Sequence, residues 1–141
     1  PVQRNQGDAA VQTGTQLFKN IGCNKCHVDE LKTGDYPISA LANKVIHPYT
    51  DLLLHDMGPG LDDQYTEGMA KTAEWRTPAL WGLGLSKNAQ GGTYFLMHDG
   101  RANSIEEAIL MHGGEAQQVR AGYLQLTESE QEQLLKFLES L

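Results

Sequence analysis

No apolar run in the sequence comes near the roughly 18 residues that a membrane-spanning helix needs. Leu52-Leu53-Leu54 is followed at once by His55-Asp56, so no membrane insertion is expected. Basic residues are also scarce: 11 Lys and Arg stand against 18 Asp and Glu, a net charge of −7. That balance argues against nucleic acid and anionic membrane surfaces as partners, and for a protein partner with a basic docking patch. Aromatic side chains make up only 7% of the 141 residues. A chain of this length buries about two-thirds of its unfolded surface, and a bound cofactor could supply part of the apolar core that the aromatics do not. The start, Pro1-Val2-Gln3-Arg4, has neither the charged n-region nor the apolar h-region of a secretory signal, which reads as a mature form or an excised domain. No repeat, low-complexity tract or linker interrupts the chain. One domain over residues 1–141 is expected, with residues 1–7 frayed.

Helix signals are clear at both ends. Asp8 can cap a helix bearing Val11, Leu17, Phe18 and Ile21, which Gly22 ends. Thr127-Glu128-Ser129-Glu130 has the form of a capping box, and Leu134, Leu135, Phe137, Leu138 and Leu141 make the apolar stripe of a terminal helix that should cross the first one. Ser104-Ile105-Glu106-Glu107 opens a further short helix, through Met111 and His112 to the stop at Gly113-Gly114. Between these, residues 28–49 read as loop with a short strand near residues 41–46, and residues 50–55 as one helical turn. The stretch holding Gly82, Gly84, Gly91 and Gly92 reads as irregular. The expected class is mostly α: a helical, cytochrome c-like domain with long loops around its cofactor.

The two cysteines carry the chemistry. In Cys23-Asn24-Lys25-Cys26-His27 the thiols sit about one helical turn apart and an imidazole follows directly. This C-x-x-C-H string is the attachment signature of c-type haem: thioether bonds fix the porphyrin edge and the histidine is the proximal iron ligand. A redox-active dithiol would need a βαβ context, which is absent. A structural zinc site would want more cysteines or a spaced histidine pair, and there is no third cysteine. One covalent haem c is therefore expected. Candidates for the sixth ligand are His47, His55, His98, His112, Met57, Met69, Met97 and Met111, most of which must be core methionines or hydrogen-bonded histidines.

Four longer strings narrow the choice: Tyr49 to Gly58 (YTDLLLHDMG), Glu74 to Gly82 (EWRTPALWG), Met97 to Ala102 (MHDGRA) and Glu106 to Ala116 (EEAILMHGGEA). Together they resemble the C-terminal haem region of the di-haem oxidoreductases, or thiol oxidoreductases, which in turn resemble bacterial di-haem cytochrome c peroxidases. The likeness runs from about Gly14 to Leu141. In those peroxidases the C-terminal haem takes its second ligand, typically methionine, from the short helix after an H-x-G segment. Carried over from His98-Asp99-Gly100, that position falls on His112, beside Met111, so the resemblance implies iron held by His27 and His112. Met57 is the second choice, because Met57-Gly58-Pro59 resembles the loop methionine of small class I cytochromes, and Met111 the third. Arg76 and Trp81 are candidate donors to the haem propionates. His55 and His98, each followed by aspartate, either lock loops by hydrogen bonds or serve the other propionate.

A six-coordinate iron has no vacant position for peroxide or oxygen, so one-electron transfer is the expected function, at a potential below that of a His/Met cytochrome. The alternative is an oxidoreductase or peroxidase whose second haem lies elsewhere in a parent protein, since this sequence has a single attachment motif. A haem that only shapes a docking module is a third reading. Covalent attachment in cytochrome c families takes place outside the bacterial cytoplasm, so a periplasmic or exported location is expected.

Overall fold

The structure is a computed structural model and describes residues 2–141. Helix α1, Ala9–Asn20, starts where Asp8 accepts from the Ala10 N–H at 2.7 Å, and buries Val11, Gly14 and Phe18 along one face. Helix α5, Glu128–Ser140, starts on a full capping box between Thr127 and Glu130 and buries Leu134, Phe137 and Leu138. These faces pack on each other. The contact is close because position 14 has no side chain: a Cβ there would overlap the Gln133 carbonyl oxygen and stand 2.7 Å from the Phe137 Cβ. Gly22, at φ 94°, turns the chain out of α1 and directly into Cys23. The crossing of the two helices thus holds the segment that carries the chemistry.

The start of the chain is tied to this crossing. Arg4 donates its N–H to the Ser140 carbonyl at 2.8 Å and its guanidinium to the Glu139 carbonyl, and the Gln3 amide reaches the Ser140 hydroxyl at 3.1 Å. Of the stretch expected to fray, Pro1 lies outside the described residues.

Three further helices complete the set. Helix α2, Leu83–Ala89, occupies the stretch that the glycines mark as irregular. Gly82 enters it at φ 80°, and Gly84 lies so close to α5 that a Cβ would overlap the Glu139 carbonyl oxygen. Gly82 thus serves the entry to a helix and Gly84 its packing, and neither breaks it. Helix α3, Ile105–Met111, is capped by the Ser104 hydroxyl on the Glu107 N–H at 3.0 Å, while the Glu107 carboxylate reaches one residue further back, to the Asn103 N–H at 2.6 Å. Helix α4, Gln117–Leu124, brings Tyr123 into the core.

The expectation of a mostly α domain is corrected by two antiparallel ribbons, which make the chain mixed α/β. Strands β1, Leu31–Lys32, and β2, Val45–Ile46, form the first; β3, Leu54–Asp56, and β4, Glu74–Arg76, form the second, with His55 opposite Trp75. The helical turn expected over residues 50–55 is not formed. Thr50 and Asp51 instead accept from the N–H groups two residues on, Leu52 at 2.9 Å and Leu53 at 2.9 Å, which bends the chain into β3. Side chains that compete for local N–H groups in this way favour turns over helix. The core collects Val11, Phe18, Tyr49, Tyr94, Ile105, Tyr123, Leu134, Phe137, Leu138 and Leu141 between the helices.

Candidate functional site

Cys23–Lys25 form a single 3-10 turn after α1, and Cys26 and His27 follow it. Both cysteines are free thiols. Burial pushes the Cys23 thiol up to about 12. Cys26 is raised as well, first by burial and then by the Asp51 and Glu115 carboxylates. Redox-active dithiols depend on a depressed thiol pKa, so this environment is the wrong one for such a pair.

His27 packs behind Cys26 with its ring centroid 6.4 Å from that of Phe18. Its Nδ1 donates to the Tyr49 carbonyl at 3.1 Å. That carbonyl is aimed by an unusual backbone: Tyr49 is buried and sits at φ 56°, a conformation that costs a non-glycine residue about 1–3 kcal/mol. The next residue holds it there. The Thr50 hydroxyl, fully buried, donates to the Thr77 carbonyl at 2.7 Å.

His112 caps the C-terminus of α3, and its Nδ1 donates to the Ala108 carbonyl at 2.7 Å. The rings of His27 and His112 are neighbours, with centroids 6.5 Å apart and planes at 48°. Burial lowers the pKa of both, that of His27 to about 4, although each keeps part of its surface open. Two neutral imidazoles, 85 residues apart in sequence (112 − 27), therefore have Nδ1 committed to backbone and Nε2 without a hydrogen-bond partner among the described residues.

The turn after His112 is pressed against the chain after β3. A Cβ on Gly114 would overlap the Asp56 carbonyl oxygen, and one on Gly58, at φ 79°, would stand 2.8 Å from the Gly114 nitrogen. Beside this contact His55 donates to Asp51 at 2.8 Å and to Glu115 at 2.9 Å, which raises its pKa above the ordinary value, Glu115 contributing most. The Cys26 sulfur is 3.8 Å from the same ring. Cys26, Asp51 and His55 thus bring three potential ligand atoms within 4.8 Å of one another, but both His55 nitrogens act as donors to carboxylates.

Of the residues marked in the sequence, Cys23, Cys26, His27 and His112 come together. Met57 is half-buried, with its carbonyl against Gly113, and Met111 is the last residue of α3. Arg76 is exposed at the end of β4, and its carbonyl accepts from His98 Nε2 at 2.9 Å. His98 also packs on Trp75, ring centroids 4.7 Å apart. Trp81 is exposed and opens onto a groove with His47, Tyr49 and Leu141. Tyr49, Thr50, Asp51 and Glu115 carry no individual signal in the sequence. The first acts through its backbone, which has no side-chain signature, and Glu115 gains its role only from a partner 60 residues away.

The profile of a family described as "di-haem oxidoreductase, putative peroxidase" matches residues 1–141. The chain belongs to this family. No curated protein sequence matches it. Among solved structures, hydrazine synthase of Kuenenia stuttgartiensis is similar in fold, with a TM-score of 0.53 at 20% identity over 99% of this chain. The match takes in 49% of that chain, so this di-haem oxidoreductase family member spans about half the length of its structural neighbour. The donor set fits a haem: neutral imidazoles with a free Nε2 are ligands that its iron takes, and two free thiols stand in the same segment as His27.

Proposed function

We propose that this member of the family holds one haem, bonded through Cys23 and Cys26 and ligated by His27 and His112, and that it passes single electrons to and from a protein partner. The observation that carries the reading is the His27–His112 pair. Their ring centroids are 6.5 Å apart, close enough for both imidazoles to hold one iron through metal–nitrogen bonds of about 2 Å. When bound, haem supplies the Fe(III)/Fe(II) change. The chain supplies the rest. The Tyr49 and Ala108 carbonyls fix which nitrogen of each ring is left free. Burial keeps both rings neutral, as ligands must be. Leu52, Leu53 and Leu54, each at least half exposed, are apolar surface available to cover a porphyrin. Arg76 and Trp81, both exposed, are assigned to its carboxylates. The proposal includes export from the cytoplasm, one domain over the whole length, and docking of a partner through a basic patch against the net charge of −7.

The experiment is to make the protein in a host competent for cytochrome c maturation, measure its mass, and compare optical and electron paramagnetic resonance spectra of the wild type and His112→Ala. The expected results are the mass of one haem, a low-spin ferric spectrum that turns high-spin in the variant, and a midpoint potential below that of His/Met cytochromes. A bare polypeptide mass, or a spectrum indifferent to the substitution, overturns the assignment.

A second reading is supported by the family description together with the single C-x-x-C-H motif. In it the chain is one haem module of a larger oxidoreductase and relays electrons to a second haem where substrate reacts. Rapid reaction of the isolated chain with hydrogen peroxide would instead place catalysis here.

A further inference from the structure

We infer that Glu115 and His55 form a clasp that sets the position of His112 as an iron ligand, so that both are positioning residues for the haem; the inference rests on the bis-histidine reading above. Helix α3 is only 7 residues long, and His112 lies at its last turn, where helices fray most readily. The bond from His112 Nδ1 to Ala108 fixes how the ring is rotated, but not where the end of the helix lies. That end is held from the far side. Glu115, three residues on, takes the His55 ring on Oε2 at 2.9 Å and the Asp56 N–H on Oε1 at 3.0 Å. The intervening Gly113-Gly114 lies flush against Met57 and Gly58, an approach that no side chain at these positions would allow.

His55 is itself anchored. Its other nitrogen donates to Asp51 at 2.8 Å, Asp51 accepts from the Leu53 N–H at 2.9 Å, and His55 pairs in the β3–β4 ribbon with buried Trp75. The same imidazole stands 3.8 Å from the Cys26 sulfur, next to His27. One run of contacts, from Cys26 through His55 to Glu115, therefore joins the segment bearing one imidazole to the turn bearing the other. Each link of that run is a direct side-chain contact, at 3.8 Å from Cys26 to His55 and 2.9 Å from His55 to Glu115.

The test uses the haem-loaded protein and reads the rate of cyanide association together with the low-spin fraction. Partners behind a metal ligand alter affinity by about ten-fold or more when removed. Glu115→Ala is therefore expected to speed cyanide association by about ten-fold and to give a visible high-spin fraction, with His112→Ala as the upper limit. Glu115→Gln, which keeps an acceptor for the Asp56 N–H and loses the charge, is expected to fall between, and serves if the alanine variant does not load haem. Thr127→Ala, which removes the remote cap of α5, should lower thermal stability and leave the cyanide rate alone. If both Glu115 variants bind cyanide as the wild type does while His112→Ala binds it faster, the clasp is overturned and the ligand assignment stands. If His112→Ala itself changes nothing, both fall.

Discussion

His27 and His112 hold their rings 6.5 Å apart by the same device: each donates Nδ1 to a backbone carbonyl, of Tyr49 at 3.1 Å and of Ala108 at 2.7 Å. The two carbonyls differ in what supports them. That of Ala108 belongs to a helix and is placed by α3 itself, whereas that of Tyr49 depends on a left-handed residue pinned from outside. The His27 side of the site therefore depends on Thr50, the residue that pins Tyr49.

Thr50→Val tests that dependence. The hydroxyl lost in this near-isosteric change is fully buried, donates to the buried Thr77 carbonyl and accepts from the Leu52 N–H. Leaving such groups unpaired costs about 1–3 kcal/mol. Guanidinium denaturation is expected to show that loss, and the haem-loaded variant should show altered electron paramagnetic resonance g-values as the His27 anchor shifts. Unchanged g-values with full stability loss would confine Thr50 to a structural part.

Gly14→Ala probes the fold without the site. The added methyl group collides with the Gln133 carbonyl oxygen and with Phe137, where α1 crosses α5. Overpacking of this kind costs about 1–3 kcal/mol. Thermal melts should record the loss, while the haem spectrum, which depends on Cys23 onward, stays as in the wild type. A melting temperature equal to wild type would mean that the helices separate freely at this crossing.

The parts of the structure legible in the sequence are those whose signals are local. Asp8, Ser104 and Thr127 announce helix starts with their own side chains, and all three cap as expected. Helix α4 starts at Ala116 with no side-chain cap, so nothing marks it. Strands of two or three residues are too short to show alternation, which is why β3 and β4 leave no signal and the sequence reads as mostly helical. Gly84 misled for a different reason: its role is close approach to α5, and local sequence does not distinguish a glycine needed for packing from one that breaks a helix. At the site, the C-x-x-C-H spacing was local and legible. The contact of His55 with Glu115 required the fold.

The clasp also predicts a pH profile for stability. His55 is raised above its ordinary 6.5, chiefly by Glu115, so its contribution is fully present below 6.5 and is lost as pH rises through the folded value. Glu115, lowered from 4.5 mainly by His55, contributes above that value and loses its contribution as pH falls through the folded one. In Asp51, lowered from 3.8, the Leu53 N–H and the His55 ring outweigh burial, and the sign is that of Glu115. The clasp is therefore strongest between about pH 4.5 and 6.5. Urea denaturation of the haem-loaded protein should show less stability at about pH 8.5 than at about pH 5.5, and Glu115→Gln should flatten the difference. An equal slope in both proteins would show that other groups set it.

Met57 decides between the ligand assignments. Its backbone carbonyl lies against Gly113 and the residue is half-buried, so it borders the turn that follows His112. Thioether and imidazole differ in what they do to iron: methionine raises the reduction potential relative to a second histidine. Leucine preserves the volume of methionine without its sulfur, at a cost usually below about 1.5 kcal/mol. With His112 as ligand, Met57→Leu keeps the low-spin spectrum and the low midpoint potential, and Met111→Leu, at the end of α3, does the same. With Met57 as ligand, its substitution alone abolishes the low-spin spectrum, and the wild type already titrates in the His/Met range. A redox titration of three proteins, wild type, Met57→Leu and His112→Ala, separates the cases: only His112→Ala should raise the potential and admit cyanide.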